Sequence, residues 1–382
     1  MTIMKLKDCC TIIAGQSPES KYYNSDGIGI PFFQGKADFG EVYPRIRVYC
    51  SQPIKIAEKD DILLSVRAPV GPTNLSPGTV CIGRGLTAIR PSEILNLRYL
   101  LHYFRYFEAQ LQQKGTGTTF KAITQDVVKN LEVPIPSLEE QKRIVARIEE
   151  LFSELDNGVE TLRKTKRQLA VYRQAVLKDA FSHISEKKII REMSSIVTSG
   201  SRGWAHYYSD QGAKFIRIGN LTRDRIRIDL SDIQYVALPD GAEGKRTRLQ
   251  PNDVLVSITA DLGSIGLVLE NIGEAYVNQH IAMIRFNNPK QGEMMAWYLR
   301  SDYGQKDLLK NKRGGGKLGL GLDDIRDSSV PVVSDVEAAR IVGTIEARLS
   351  VCDQIEKTVD TALQQAEAMR QSILKQAFEG KI

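Results

Sequence analysis

One long helical segment and its copy constrain the fold of this chain more than any other feature. Residues 138–181 contain no proline, and from Ile148 onwards every seventh residue is apolar. A heptad repeat of this kind keeps one seam of an α-helix turned towards a partner helix. At a rise of 1.5 Å per residue the helix would be about 65 Å long, too long for one small domain to cover. The segment therefore needs a second helix of similar length.

The chain supplies that partner as an internal repeat near its C-terminus. Adding 197 to each number turns Val133-Pro134 into Val330-Pro331 and Ala180-Phe181 into Ala377-Phe378, with no gap between them. Such a repeat predicts a duplicated unit whose two helices pack on each other in an antiparallel, intramolecular coiled coil. Its seam is predicted at Ile148, Leu155, Leu162, Leu169, Val176, Ile345, Val359 and Ile373.

The segments before the two helices repeat as well. The strand-like run Ile62–Ser65 has its counterpart in Val254–Ser257, while the polar residues between such runs differ. The predicted fold class is α+β, with two small α/β domains separated by the two long antiparallel helices. The predicted bounds are 1–135 for the first domain, 136–185 for the central helix, 186–329 for the second domain and 330–382 for the C-terminal helix.

Composition narrows the class of protein. The chain has 382 residues, of which 42% are hydrophobic and 26% charged, and no apolar run approaches the ~20 residues of a membrane span. Five scattered cysteines without a C-x-x-C pair, and only four histidines, predict neither a disulfide framework nor a metal site. A cytoplasmic location is expected. The net charge of +6 comes mainly from the segments outside the helices, which is compatible with a polyanionic partner.

The start of the central helix carries a family resemblance. Val133 to Gln141 reads Val-Pro-Ile-Pro-Ser-Leu-Glu-Glu-Gln and is followed by Ile144-Val145 and Ile148-Glu149. This stretch resembles the conserved region of specificity (S) subunits of type I restriction-modification systems. The second copy departs from it, since Pro136 corresponds to Val333 and Gln141 to Ala338.

The resemblance implies a function and a set of partners. Each variable domain would be a target-recognition domain that reads one half of an asymmetric, bipartite sequence in double-stranded DNA, and the helices would set the spacer. Two methylation (M) subunits and the restriction (R) subunits are the implied partners. The complex would be a DNA adenine methyltransferase and ATP-dependent endonuclease. S-adenosylmethionine, ATP and Mg²⁺ would then bind the partner subunits, with no cofactor and no catalytic residue expected in this chain.

Side-chain chemistry indicates which residues could contact DNA. Lys and Arg neutralise phosphates, Arg can also grip guanine, and Asn or Gln can grip adenine. In the first domain the candidates are Gln34, Lys36, Arg45, Arg47, Lys114, Thr118, Thr119 and Lys121. In the second they are Arg217, Asn220, Arg223, Arg225, Arg227, Arg246, Arg248, Lys312, Arg313 and Lys317.

Two other classes of function stay open at this point. One is an enzyme with an unrecognised active site, such as a self-contained nuclease or methylase that dimerises through its helices. The other is a coiled-coil scaffold that binds only proteins. Gly314 to Gly319 fits G-x-G-x-x-G, but no βαβ unit surrounds it, which disfavours a dinucleotide site. No Asn/Asp-Pro-Pro-Tyr/Phe methylase motif occurs.

Overall fold

The chain folds into two compact units, each built from segments distant in sequence. The structure is a computed structural model that describes residues 2–116, 122–200, 202–223, 225–238, 243–310 and 319–382. Unit 1 comprises Met1–Leu162 and Thr361–Ile382, and unit 2 comprises Arg163–Asp360. The predicted domain bounds differ from this division because each unit includes part of both long helices.

The α-helices and β-strands are numbered separately in chain order. The α-helices are α1 Leu6–Cys9, α2 Leu97–Gln113, α3 Gln125–Lys129, α4 Leu138–Phe181, α5 Ile190–Met193, α6 Gly292–Arg300, α7 Asp302–Leu308, α8 Leu322–Arg326 and α9 Asp335–Phe378. The strands of unit 1 are β1 Thr2–Lys5, β2 Cys10–Ala14, β3 Tyr23–Asn24, β4 Ile30–Phe33, β5 Tyr49–Cys50, β6 Ile56–Ala57, β7 Ile62–Ser65, β8 Thr73–Leu75, β9 Val80–Ile82, β10 Leu86–Pro91 and β11 Glu132–Ile135. Those of unit 2 are β12 Lys187–Ile189, β13 Ser194–Ser199, β14 Tyr208–Ser209, β15 Ala213–Ile216, β16 Gln234–Val236, β17 Val254–Ser257, β18 Ile265–Leu267, β19 Ala275–Val277, β20 Ile281–Phe286 and β21 Ser329–Pro331.

A similar sheet arrangement occurs in both units, with five strands in the second sheet of unit 1 and four in that of unit 2. In unit 1 an antiparallel sheet has the order β2-β10-β7-β8, and a second sheet has the order β3-β5-β4-β9-β6 with β4 and β9 parallel. In unit 2 the corresponding orders are β13-β20-β17-β18 and β14-β16-β15-β19, with β15 and β19 parallel. Short two-stranded ladders, β1-β11 and β12-β21, precede α4 and α9. The α+β fold class is confirmed.

Both long helices begin at a serine cap. The Ser137 hydroxyl accepts a hydrogen bond from the Glu140 amide at 3.2 Å, and Ser334 does the same for Glu337. The Glu140 side chain pairs with Arg143 instead of closing a capping box. With no proline inside either helix, nothing removes a backbone hydrogen bond over the whole length. The predicted helix at 138–181 is confirmed.

The two helix starts are held by different glutamines. Gln141 is fully buried in unit 1, where its side chain donates to the carbonyls of Ile94 and Pro136 and accepts from the Asn96 amide. Its counterpart is Ala338, and in unit 2 Gln291 donates to the Val333 carbonyl at 3.1 Å instead. The departure seen in the second copy is thus compensated by a residue from another element.

In unit 1 the end of α9 completes the core. Leu374 and Ala377 are each 2% exposed among residues of α2 and the first part of α4. The ring of Phe378 lies 5.3 Å from that of Tyr99 and 5.3 Å from that of Tyr103. The globular part of unit 1 is therefore packed on residues far along the chain.

In unit 2 the end of α4 has the equivalent place. Val176 and Phe181 are buried with Ile345 of α9 and with residues of α6. The Phe181 ring lies 5.3 Å from the Tyr298 ring, as Phe378 does from Tyr99 in unit 1. Ion pairs join the helices, among them Lys166–Asp360 at 2.7 Å. Within each unit the two helices pack in antiparallel fashion, as predicted.

The predicted seam is buried unevenly. Ile148, Leu169, Val176, Ile345 and Val359 are buried, whereas the remaining predicted members are only half-buried, namely Leu155, Leu162 and Ile373. The predicted seam is therefore only partly shielded from solvent at these three positions.

We expect this difference to appear in stability. Replacing the fully buried Ile345 with alanine removes packed atoms and leaves a cavity, so it should cost about 2–5 kcal/mol of unfolding free energy. Leu162→Ala is the matched control and should cost about 1 kcal/mol or less, since its side chain already meets water. Urea unfolding of both variants measures the difference. Equal losses would show that exposure does not decide the cost here.

One buried histidine in unit 1 is kept neutral. His102 is 3% exposed and packs edge-on against Phe152 with ring centroids 5.7 Å apart. Its burial, with Arg105 and Arg98 nearby, lowers the pKa of His102 to about 3. The residue is structural. Among the described residues no helix is long and apolar enough to cross a membrane.

Candidate nucleic-acid interface

A cationic cleft lies in unit 1 beyond the C-terminal ends of the parallel strands β4 and β9. Its volume is about 570 Å³. The cleft is lined by Ser17, Phe32, Gln34, Gly35, Lys36, Ala37, Asp38, Arg47, Val48, Arg67, Ala68, Arg84 and Gly85. Four cationic side chains and one carboxylate line the cleft, so it carries a net positive charge. Three of the predicted DNA contacts lie in it together, namely Gln34, Lys36 and Arg47.

The single acid of the cleft has a structural task. Asp38 closes the 3-10 turn Lys36–Asp38 by accepting from the Gln34 amide at 2.8 Å. Its other oxygen pairs with Arg47 at 2.5 Å, and Arg47 also donates to the Ala37 carbonyl at 2.9 Å. Arg47 is thus held in place by the loop it belongs to, although more than half of its side chain remains exposed.

Two arginines of the cleft were missed from the sequence. Arg67 lies two residues after the end of strand β7, and Arg84 lies between two glycines in the turn that joins β9 to β10. Both side chains are exposed, and neither has a hydrogen bond or ion pair among the residues that the structure describes. An arginine flanked by glycines immediately after a strand is a signal that could have found Arg84. Arg67 has no such signal.

The other candidates of the first domain lie elsewhere. Arg45 is exposed, and its backbone amide donates to the Asp38 carbonyl at 2.7 Å, but it does not line the cleft. Lys114 is exposed at the end of α2. Thr118, Thr119 and Lys121 lie outside the described residues.

In unit 2 one candidate is corrected by the structure. Asn220 is 3% exposed, and its amide donates to the carbonyls of Asp229 and Asp232 at 2.8 and 3.0 Å. Its Oδ1 accepts from the Arg217 amide at 2.8 Å. Every polar atom of the side chain is used within its own loop, so the prediction that Asn220 contacts DNA is wrong. Asn220 closes this loop as Asp38 closes the loop in unit 1.

The alternating arginines of unit 2 do not act as one row. Arg223 pairs with Asp261 at 2.5 Å and donates to the Leu262 carbonyl, and with Ser264 it holds the pKa of Asp261 below its ordinary value. Arg227 faces Glu346 on α9 at 3.3 Å. Arg225 is exposed. The guanidinium groups of Arg223 and Arg227 therefore already have acidic neighbours.

The remaining candidates of unit 2 are more accessible. Arg217 is half-buried and lies 3.6 Å from the exposed Asp232. Arg246 and Arg248 are exposed, and Arg246 donates to the Ser199 carbonyl at 3.4 Å. Lys312, Arg313 and Lys317, like most of the glycine-rich segment around them, lie outside the described residues.

Metal ligands and exposed aromatic side chains are two further features that a binding site could use. Among the described residues no group of His, Cys, Asp or Glu is arranged to hold a metal ion. Trp204 is 5% exposed and stacks on Phe215 with centroids 5.5 Å apart, so it packs within unit 2. Tyr208 is 45% exposed and stays available for contact.

Comparison with known proteins shows what the N-terminal part of the chain is similar to. Residues 1–164 match the model of the type I restriction modification DNA specificity domain. Over 167 residues the chain is 41% identical to a putative type I restriction enzyme MjaX specificity subunit from Methanocaldococcus jannaschii, covering 44% of this chain and 38% of that protein. Each of these two matches covers less than half of this chain, and both are to type I restriction-modification specificity proteins.

Other specificity subunits match a longer stretch of this chain at lower identity. The EcoBI specificity subunit from Escherichia coli is 24% identical over 322 residues, which cover 75% of this chain and 66% of that protein. The chain thus spans about two thirds or less of these two relatives. A crystal structure of the HsdS subunit from Thermoanaerobacter tengcongensis is 46% identical over 40% of this chain and 37% of that chain, with a TM-score of 0.37.

Proposed function

We propose that this chain is the non-catalytic DNA-recognition subunit of a type I restriction-modification enzyme. The observation that carries the proposal is the cationic cleft of unit 1, whose exposed Lys36, Arg67 and Arg84 surround an equally exposed amide, Gln34. Lysine and arginine supply the affinity for phosphate, while arginine and glutamine side chains can read base edges. A cleft that offers both chemistries side by side suits sequence recognition.

The duplication supports a bipartite target. Two units with the same sheet order offer two readers of similar frame. Their polar residues differ, since Lys36 of unit 1 has no cation at the matching position of the 3-10 turn in unit 2, which is Ile218. Two unlike readers would bind two unlike half-sites, which makes the target asymmetric.

The helices would serve two purposes in this proposal. They set the number of base pairs between half-sites, and they dock the partner subunits. In unit 2 a groove of about 470 Å³ between the helices is lined mainly by apolar side chains, including Tyr172, Val351 and Ile355. These three are 48%, 53% and 40% exposed, which is a surface that a protein partner would cover.

The partners we propose are two methylation subunits and the restriction subunits. S-adenosylmethionine, ATP and Mg²⁺ would bind to them, so that adenine methylation and ATP-dependent cleavage are activities of the complex. A direct check is to incubate the purified chain alone with DNA and either S-adenosylmethionine or Mg²⁺. Modification of DNA by the chain alone would favour the self-contained enzyme instead.

An exchange of recognition domains tests the proposal itself. Residues 1–135 are replaced by the same region of another specificity subunit, and the methylated sequences are read from the genome of cells that carry the complete system. We expect one half of the methylated sequence to change and the other to persist. The exchanged segment must still pack on Leu374 and Phe378, so a donor with the same residues at α2 is the matched choice. If both halves of the methylated sequence changed, the assignment of one half-site to each recognition domain would be refuted.

A further inference from the structure

Two equivalent backbone positions carry a glutamine and an arginine in unit 1, and the same two residue types in the opposite order in unit 2. The first position follows strand β4 in unit 1 and β15 in unit 2, and is occupied by Gln34 and Arg217. In both cases its backbone amide donates at 2.8 Å to the residue that closes the 3-10 turn, Asp38 or Asn220. Gln34 and Arg217 therefore begin the same loop.

The second position is the turn before the central strand, occupied by Arg84 and Gln279. In unit 1 the residue before it donates from its amide to the Phe33 carbonyl at 2.8 Å, and in unit 2 to the Ile216 carbonyl at 3.1 Å. The carbonyl of the residue after it accepts from Val66 in unit 1 and from Ile258 in unit 2, both at 2.9 Å. Matched hydrogen bonds on both sides put Arg84 and Gln279 at one backbone position.

The two positions are neighbours in each unit. The Phe33 carbonyl that accepts from the turn belongs to the residue before Gln34, and the Ile216 carbonyl belongs to the residue before Arg217. In unit 1 the side chains of Gln34 and Arg84 line the same cleft. Neither side chain has a hydrogen bond or ion pair among the described residues, so neither is committed to the fold.

In unit 2 the counterparts carry only weak internal contacts. Arg217 lies 3.6 Å from a carboxylate that is almost fully exposed, Asp232. The Gln279 amide shares one hydrogen bond with the neighbouring His280 ring at 3.0 Å. Both contacts leave donors of the side chain unused, because a guanidinium has five N–H donors and an amide has two donors and an acceptor.

We propose that these two positions read base edges in both units and that the exchange inverts their preference. Arginine forms two hydrogen bonds with guanine O6 and N7, and glutamine forms two with adenine N6 and N7. Unit 1 would then read adenine through Gln34 and guanine through Arg84, whereas unit 2 would read guanine through Arg217 and adenine through Gln279. This inference rests on the proposed function and specifies which side chains make the two half-sites differ.

The test uses the chain assembled with its methylation subunits and a pool of duplexes with randomised half-sites. Bound duplexes are separated and sequenced for the wild type, for Arg84→Gln and for the double variant Gln34→Arg/Arg84→Gln. We expect Arg84→Gln to turn one guanine preference into an adenine preference in one half-site only, by roughly 10- to 100-fold. The double variant should exchange both preferences of that half-site.

Lys36→Gln is the matched control, since it removes a cation from the same cleft at a position without the exchange. It should weaken binding to all sequences alike and reduce the salt dependence. Arg84→Lys, which keeps the charge but not the paired donors, should relax the guanine preference.

The outcomes separate the two proposals. If the wild-type complex selects no sequence, the proposed function fails. If it selects a bipartite sequence and the Arg84 variants select the same one, or lose affinity for all sequences equally while melting like the wild type, the assignment of these positions to base reading is overturned.

Discussion

Deleting residues 361–382 is expected to unfold unit 1 while unit 2 keeps its fold. The deletion removes Leu374, Ala377 and Phe378 from the core of unit 1. The loss of one buried leucine or phenylalanine already costs about 2–5 kcal/mol, and a domain of this size is stable by only about 5–15 kcal/mol. It also removes Arg370, which lies over the Phe152 ring at 4.9 Å and pairs with Asp156.

Hydrogen exchange resolved by segment measures this result. Amides of α2 should lose their protection in the shortened chain, whereas those of α6 should keep it. Adding a peptide of residues 361–382 should restore protection in α2. Two point variants in the full chain provide matched controls, because Leu374 is 2% exposed and Met369 is 53% exposed. Leu374→Ala should reproduce part of the loss, and Met369→Ala should not. Full protection of α2 after the deletion would contradict the assignment.

Replacing Arg285 with methionine is expected to destabilise unit 2 by about 3–5 kcal/mol, because it leaves a buried carboxylate without its partner. Asp253 is 1% exposed and receives two hydrogen bonds from Arg285, at 2.8 and 2.6 Å. Burial raises the pKa of Asp253, and the hydrogen bonds from Arg285 and the Gln250 amide oppose that rise.

The loss of unfolding free energy in Arg285→Met should depend on pH in a defined direction. Without Arg285 the pKa of Asp253 in the folded state should rise further above its unfolded value. The variant then binds more protons when folded, so its deficit should shrink as the pH falls towards 4 and grow as the pH rises. Adding Asp253→Asn to the variant should recover more than half of the loss. The exposed pair Arg227–Glu346 is the control, and Arg227→Met should cost less than about 1 kcal/mol.

Denaturant unfolding at several pH values provides the measurement. A loss below about 1 kcal/mol for Arg285→Met, or one that does not depend on pH, would mean that water reaches Asp253 in the variant. Unit 1 contains the equivalent pair, Arg90 and Asp61, at 2.7 Å. Arg90 is more exposed than Arg285, at 37% against 20%, so the same change there should cost less.

The long helices and most strands could be predicted from the sequence because they depend on periodic patterns of apolar residues. A heptad without proline specifies a long helix from Leu138 to Phe181, and its copy specifies a second one. The strands at Ile62 and Val254 are short apolar runs between turn residues, which also read locally. The repeat showed that the two halves share one frame. The sequence could not show that Leu162 is half-buried, because burial depends on the side chains that happen to lie opposite.

The candidate interface was predicted less completely. Residue chemistry selected Gln34, Lys36 and Arg47 as candidate DNA contacts, and the structure places all three in one cleft. It also selected Asn220, whose amide donates to carbonyls of its own loop. Arg84 was missed because its neighbours in space, Gln34 and the loop after β4, are about 50 positions away in the chain.

The sequence by itself determined that this protein has two similar units, each joined to a long amphipathic helix, because repeats and heptads are properties of residue order. Only the tertiary structure decided that the end of α9 completes the core of unit 1 and the end of α4 that of unit 2, and which polar side chains remain free. Those outcomes depend on contacts between segments up to 279 positions apart, such as Tyr99 with Phe378, and no local pattern records such contacts.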